Sequence, residues 1–180
     1  QTFISEGLQL EGRAVFETGA FQHELMGGVR RHEDTARNTT TISNVSYRQV
    51  NGGLVLNATT AGAPNQGFGE ATSFWLADRI RYGDLIILPL VRHEDIETRA
   101  DAANPASAHN SLTKTTWGLG LNYRLNDQWT VLGGAHQGFA PPGNTAVEGS
   151  RGEESVNYEG GLRFRADRFS LDVIGFYTDY

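Results

Sequence analysis

Two segments carry side chains that could ligate a metal, His32-Glu33-Asp34 and His93-Glu94-Asp95. Imidazole and carboxylate are ordinary zinc ligands. Adjacent residues of an extended strand point to opposite faces, so neither triplet converges on one ion without a partner strand. Both read as strand ends emerging into water. The doublet Glu153-Glu154 has the residue types of a carboxylate pair for glycosidic-bond hydrolysis, but nothing supplies the second wall of a cleft. Gly118-x-Gly120 and Gly133-Gly134 lack the lysine or third glycine of a phosphate loop; in a strand, glycine marks curvature or close backbone approach. The chain is therefore read as a non-enzyme, with no catalytic residue, metal site or cofactor. What remains is the stretch Thr35–Gly69, which contains no Asp or Glu but carries Arg37 and Arg48, with Tyr47 beside the second. Arginine matches anionic oxygens through paired N–H donors, so Arg37, Arg48 and Tyr47 are the candidate ligand-binding residues. The competing reading is a solvated surface loop with two incidental arginines.

The elements that must position these residues are strands. Alternation of apolar and polar residues, punctuated by turn-forming residues, predicts eight: Phe3–Phe16, Phe21–Asp34, Glu70–Tyr82, Leu85–Asp95, Thr113–Leu125, Trp129–Phe139, Ser155–Arg165 and Phe169–Tyr180. In the seventh, Val156, Tyr158, Leu162 and Phe164 share one parity, while Asn157, Glu159, Arg163 and Arg165 share the other. The fifth and eighth divide in the same way, through Trp117, Leu119 and Leu121 and through Phe169, Leu171 and Val173. The third fits less well, because Asp78 shares its parity with Phe74, Leu76, Ile80 and Tyr82.

Short turns at Glu17–Ala20, Gly83–Asp84, Asn126–Gln128 and Ala166–Arg168 alternate with long polar connections at Thr35–Gly69, Ile96–Leu112 and Ala140–Glu154. A soluble sandwich has no reason to keep every tight turn at one end of its strands. A barrel in the outer membrane has one, since its two rims face different compartments. Aromatic residues bracket the short turns, with Phe16 and Phe21, Tyr123 and Trp129, and Phe164 and Phe169 in pairs and Tyr82 beside the fourth. Rings at one height form the girdle expected where hydrocarbon meets headgroups.

Composition allows this reading. A hydrophobic content of 38% and a mean hydropathy of -0.41 look like those of a soluble domain, but such an average misleads for a barrel, in which only every second strand residue meets lipid. The longest apolar run, Leu85–Val91, is interrupted by Pro89 and is far short of the roughly 20 residues of a membrane-spanning helix. A net charge of -6 gives no basic face for nucleic acid, and the absence of cysteine excludes disulfides and thiolate sites. Gln1 to Glu6 has neither the basic nor the apolar region of an export signal, so the chain is read as a mature or internal portion of a longer product.

Gly27-Gly28-Val29-Arg30-Arg31-His32-Glu33-Asp34, Phe74-Trp75-Leu76-Ala77-Asp78-Arg79, Gly138-Phe139-Ala140-Pro141-Pro142, Asn157-Tyr158-Glu159-Gly160-Gly161-Leu162-Arg163 and Phe176-Tyr177-Thr178-Asp179-Tyr180 together resemble the barrel of TonB-dependent outer-membrane receptors. Their order extends the resemblance over most of the chain, and the Trp75 and His93 segments are most similar to ferric-citrate and related siderophore receptors. Gly152-Glu153-Glu154-Ser155 departs from the Pro-Glu-Lys-Ser type usual in the family. The resemblance implies an all-β, antiparallel, up-and-down transmembrane barrel, of which residues 1–180 form a partial portion of eight strands. Plugged transporters have about 22 strands, so the plug, the signal peptide and the remaining strands would lie elsewhere. It also implies a bacterial outer-membrane location, uptake of a ferric chelate or siderophore, and contact with outer-membrane lipid, a plug domain and the TonB system, with no nucleic-acid partner. Two alternatives stay open: a closed eight-stranded structural or adhesive barrel, and a soluble carbohydrate-binding β-sandwich.

Overall fold

The computed structural model describes residues 2–38, 43–61, 65–100, 109–143 and 149–180. Parts of the two later long connections, 101–108 and 144–148, fall outside the described residues. Among the described residues ten strands follow one another: β1 (Thr2–Thr18), β2 (Phe21–Asn38), β3 (Ser43–Val50), β4 (Gly53–Ala61), β5 (Asn65–Tyr82), β6 (Leu85–Arg99), β7 (His109–Arg124), β8 (Trp129–Ala140), β9 (Glu153–Ala166) and β10 (Phe169–Asp179). Eight form one sheet in the order β1-β2-β5-β6-β7-β8-β9-β10, antiparallel throughout, and β3-β4 form a separate hairpin. The eight expected strands are all present, and seven run longer than expected, because the ladders continue past the apolar zone into the polar segments; the last, expected to reach Tyr180, ends at Asp179.

The turns at one end are tight. Gly19 and Gly83 sit at φ of 64° and 56°, conformations that cost glycine nothing. At the third turn, the Asn126 side-chain oxygen accepts from the backbone N–H groups of Gln128 and Trp129, both at 2.9 Å. This is an Asx turn, which replaces backbone bonds with a side-chain acceptor.

The hairpin β3-β4 lies inside the stretch expected as the long loop Thr35–Gly69. Asn51 and Gly52 turn it, at φ of 50° and 80°. Two successive residues at positive φ form a type I′ turn, whose twist matches that of the flanking strands. Across it Tyr47 faces Leu56, Arg48 faces Val55 and Gln49 faces Leu54, and the Val, Leu and Tyr residues of both strands favour pleated structure. The loop's polar average masked this local signal.

Register sorts the large sheet into two faces. Tyr82, Leu85, Tyr123, Val131, Leu162 and Val173 form one continuous cross-strand row over six strands. One residue along, Arg81, Ile86, Asn122, Leu132, Gly161 and Ile174 form the corresponding row of the opposite face. Leu119, Leu121, Leu162, Phe164, Leu171 and Val173 thus share the apolar face, and Asn122, Asn157, Glu159, Arg163 and Asp172 the polar one, as the parity of the sequence predicts. Among the described residues, Ala71 and Ala77 are the buried apolar side chains, while Leu8 is 80% and Leu10 71% exposed. A sheet whose leucines stay uncovered has no core of its own. A second layer, as in a sandwich, does not exist among the described residues. β1 and β10 stand at opposite edges and are not paired, so these strands do not close into a small barrel.

Candidate functional site

The polar face is built from ion pairs set by register. Arg163 lies opposite Asp172, and its Nε and Nη2 donate to the two carboxylate oxygens at 3.0 and 3.1 Å. Nearer the middle of the sheet, Arg92 Nε donates to Glu94 Oε1 at 2.7 Å and its Nη2 to Ser73 Oγ at 3.1 Å, while the Ser73 hydroxyl also contacts Glu94 at 3.0 Å. Ser73 is fully buried, so this group is held rather than mobile. Glu24 bridges Arg13 at 2.8 Å and Arg79 at 3.6 Å.

Not all of this face is polar. Ile86, Leu88, Leu132 and Ile174 surround a bay of about 270 Å³ lined also by Gly120 and Gly133, together with Arg79 and Glu159. β6 is apolar on both faces here, which broke the alternation in the sequence. At Gly134, a Cβ would come within 2.9 Å of the Glu159 carboxylate, a side-chain contact, while at Gly133 the nearest backbone atom stands at an ordinary 4.0 Å, so the expected close backbone approach is not found at this pair.

Toward the end with the long connections, the ladder between β7 and β8 stops at Gly118 and His136, although β7 continues along β6 to His109. Lys114 bridges the separation. Its ammonium lies 2.6 Å from Glu154 and 5.9 Å from the centre of the Phe139 ring. Hydrogen bonding from Lys114 holds the Glu154 carboxyl below the ordinary carboxylate range. Asn110, 4% exposed, accepts from the Gly149 N–H at 3.1 Å and ties the β8–β9 connection to the sheet. Gly152 rests on Phe139, where a Cβ would overlap the ring.

On the apolar face, aromatic residues meet across strands at the short-turn end. Phe21 stacks on Tyr82 at 4.9 Å, Trp129 meets Phe164 at 4.9 Å, and Phe164 lies 6.1 Å from Phe169. The uncomfortable Asp78 has a partner: His23 Nδ1 is 2.7 Å from Asp78 Oδ2, its Nε2 is 2.7 Å from Thr18 Oγ1, and its ring stacks on Phe16 at 4.8 Å. Sequence parity placed the carboxylate correctly but could not bring His23, on another strand, beside it.

At the opposite end of the same face, Glu6, Glu33, Glu70 and Glu97 stand directly opposite one another across β1, β2, β5 and β6. Arg31 lies 2.5 Å from Glu70 and 3.7 Å from Glu33. The two His-Glu-Asp triplets make only weak internal pairs, His32 with Asp34 at 3.7 Å and His93 with Asp95 at 3.9 Å. Among the described residues, no three His, Cys, Asp or Glu side chains gather as metal ligands.

The candidate ligand residues fall on two separate elements. Arg37 is on β2, opposite Thr2 and Gln66; Tyr47 and Arg48 are on β3, at and beside a bulge between Ser46 and Tyr47. The hairpin makes no close backbone contact with the large sheet among the described residues, and Tyr47 is 59% exposed.

Residues 4–180 match the family described as TonB dependent receptor-like, beta-barrel. The chain belongs to the TonB-dependent receptor β-barrel family. This is a family of receptors rather than enzymes. Comparison with curated protein sequences gives no match. Among solved structures, the barrel is similar to the ferric citrate transporter FecA in its unliganded form, at 20% identity and a TM-score of 0.75, covering 98% of this chain and 27% of that one. It is also similar to the ferric-catecholate import receptor Fiu from E. coli K12, at 16% identity and a TM-score of 0.75, covering 98% of this chain and 31% of that one. P. aeruginosa FpvA, in a pyoverdine–iron complex, gives 16% identity and a TM-score of 0.74, covering 98% of this chain and 25% of that one. The chain thus spans about a quarter to a third of these structures, and at such identities the likeness shows the fold. In a TonB-dependent barrel the apolar face looks outward and the ion-paired face lines the lumen.

Proposed function

We propose that these strands form part of the wall of a bacterial outer-membrane receptor that takes up ferric siderophores or similar metal chelates. The observation that carries this reading is the match of residues 4–180 to the receptor barrel, joined to an outward face of uncovered leucines and aromatics that water would not tolerate. The likeness to a ferric citrate transporter and to catecholate and pyoverdine receptors supports the substrate class. The remaining strands, the plug and the TonB-contacting segment belong, on this reading, to the rest of a longer chain. Arg37, Arg48 and Tyr47 form the ligand-facing part of the first long connection, where the absence of acids leaves the arginines free to attract an anionic chelate.

The test uses the full-length receptor in iron-starved cells. Radiolabelled ferric citrate and a ferric catecholate should accumulate only when the receptor and an intact TonB system are both present. Uptake of neither, nor of other ferric chelates, would overturn the substrate class. Arg37→Ala, Arg48→Ala and the double variant should each weaken chelate binding at low ionic strength, and less at moderate salt; unchanged affinity in all three removes the arginines from the site.

A further inference from the structure

The outward face carries one carboxylate where the other charges stop. Asp78 lies five residues before Gly83, so it stands about 12 Å above the short-turn rim at ordinary strand rise and tilt. Its side chain is 20% exposed and that of His23 15%. Among the described residues, its only ion-pair partner is His23, and its Oδ1, turned against the strands, has no hydrogen-bond partner. Arg79 and Arg81, its nearest cations along the chain, take the opposite, lumenal parity, and Arg79 is engaged by Glu24.

Beside Asp78 the sheet is interrupted. The β5–β6 pairing passes from Ala77 opposite Leu90 to Ile80 opposite Ile87, because Pro89 has no N–H to give to the ladder. The interruption opens a groove of about 200 Å³ lined by Leu25, Leu76, Asp78, Pro89 and Val91. The groove is apolar except for the carboxylate, which lies at its rim-side end. Leu76 and Val91 continue it toward the middle of the sheet.

We infer that this groove is a binding site for a phospholipid with a primary ammonium headgroup in the periplasm-facing leaflet, the ammonium on Asp78 and an acyl chain along Leu25, Leu76, Pro89 and Val91. The inference rests on the outer-membrane reading. The His23 ring is fixed between the Thr18 hydroxyl and Asp78 Oδ2, 2.7 Å from each, and so holds the carboxylate in place at the boundary of headgroups and hydrocarbon. A lipid ammonium supplies both the countercharge and N–H donors. A choline headgroup supplies the charge without donors, and a glycerol phosphate headgroup is repelled. The Phe16 ring stacked on His23 and the Phe21–Tyr82 pair fix the site at girdle height.

The experiment takes the full-length receptor in nanodiscs of equal phosphatidylethanolamine, phosphatidylcholine and phosphatidylglycerol. After mild detergent stripping, the retained lipid is counted by native mass spectrometry. Wild type should retain phosphatidylethanolamine about tenfold over phosphatidylcholine, the value of one charge-assisted hydrogen bond. Asp78→Asn should bring the two near parity. Leu25→Trp, which fills the groove and leaves the carboxylate, should lower retention of all lipids, and Leu171→Trp, outward-facing elsewhere, should change nothing. Equal selectivity in wild type and Asp78→Asn overturns the site, as does selectivity that Leu25→Trp leaves intact. A membrane protein that copurifies in place of lipid and is lost in Asp78→Asn also overturns it, and identifies a cationic protein partner instead. If the receptor does not insert into bilayers at all, it is the outer-membrane reading that fails.

Discussion

Single residues in this wall are judged by which face they occupy and how far along it they stand. Leu162 is outward, in the row from Tyr82 to Val173, whereas Asn157 faces the lumen beside His136 and Thr178. In the refolded full-length barrel, Leu162→Arg should cost about 2–4 kcal/mol in denaturant unfolding from vesicles, and Asn157→Arg much less. Equal losses would reverse the facing. The glutamate row makes the opposite kind of statement. Like charges directly across a ladder repel, and Glu6 has no cation among the described ion pairs, whereas Glu33 and Glu70 share Arg31. Glu6→Gln should therefore stabilise the barrel slightly, by a few tenths of a kcal/mol, and the gain should shrink in high salt. At the short-turn rim, Arg124 is held still more firmly charged by its hydrogen bond to Asp84, an exposed pair that fixes the hairpin ends more than it stabilises the fold.

Two elements have local stabilities of their own. The β3-β4 hairpin rests on Asn51 and Gly52 at positive φ, and among the described residues it makes no close backbone contact with the large sheet. Gly52→Val places a β-branched residue in the left-handed region, which should cost about 1–2 kcal/mol there. Hydrogen exchange in residues 43–61 should speed up while the amides of β7 to β9 stay protected; uniform acceleration would mean the hairpin is integrated with the sheet. The β8–β9 connection is held by Lys114–Glu154 and by Asn110. Because pairing lowers the Glu154 pKa from its ordinary 4.5, its contribution is complete above that value and is lost as pH falls through the lowered one. Protection of the Gly149–Gly152 amides, corrected for the intrinsic pH dependence of exchange, should therefore fall as the carboxylate is protonated, and Lys114→Met should remove that fall. A pH response unaltered by Lys114→Met would assign it to another carboxylate.

The whole assembly of eight strands is an open sheet with two unpaired edges and hardly any core. The exposed ladder groups of β1 and β10, and the leucines of the outward face, make residues 1–180 alone prone to self-association. Expressed in isolation, the segment should be soluble only in detergent and should sediment as a mixture of oligomers. A monodisperse, folded monomer in plain buffer would contradict the outward facing of Leu8, Leu10, Leu162 and Val173. The apolar bay around Leu88 and Ile174 adds a second uncovered surface, this one toward the lumen.

The sequence by itself determined the strands, their order in pairs and their two faces. A period of two is a local property, and a tight turn fixes antiparallel neighbours, so Leu119 and Leu121 or Arg163 and Asp172 could be sorted without knowing what lay beyond the next strand. Asn51-Gly52 was equally local and legible in principle, but it lay in a stretch whose polar average hid it. Only the tertiary structure decided what depends on register between strands far apart in sequence: that His23 meets Asp78 across 55 positions, that Arg92 meets Ser73, that four glutamates stand in one row, and that Lys114 closes a separation between β7 and β8. A shift of one residue between strands would leave every parity argument equally plausible on paper and would exchange each of those partners. Closure, too, was beyond the sequence, because pairing of β1 with β10 depends on curvature summed over eight strands, not on any residue pattern within one.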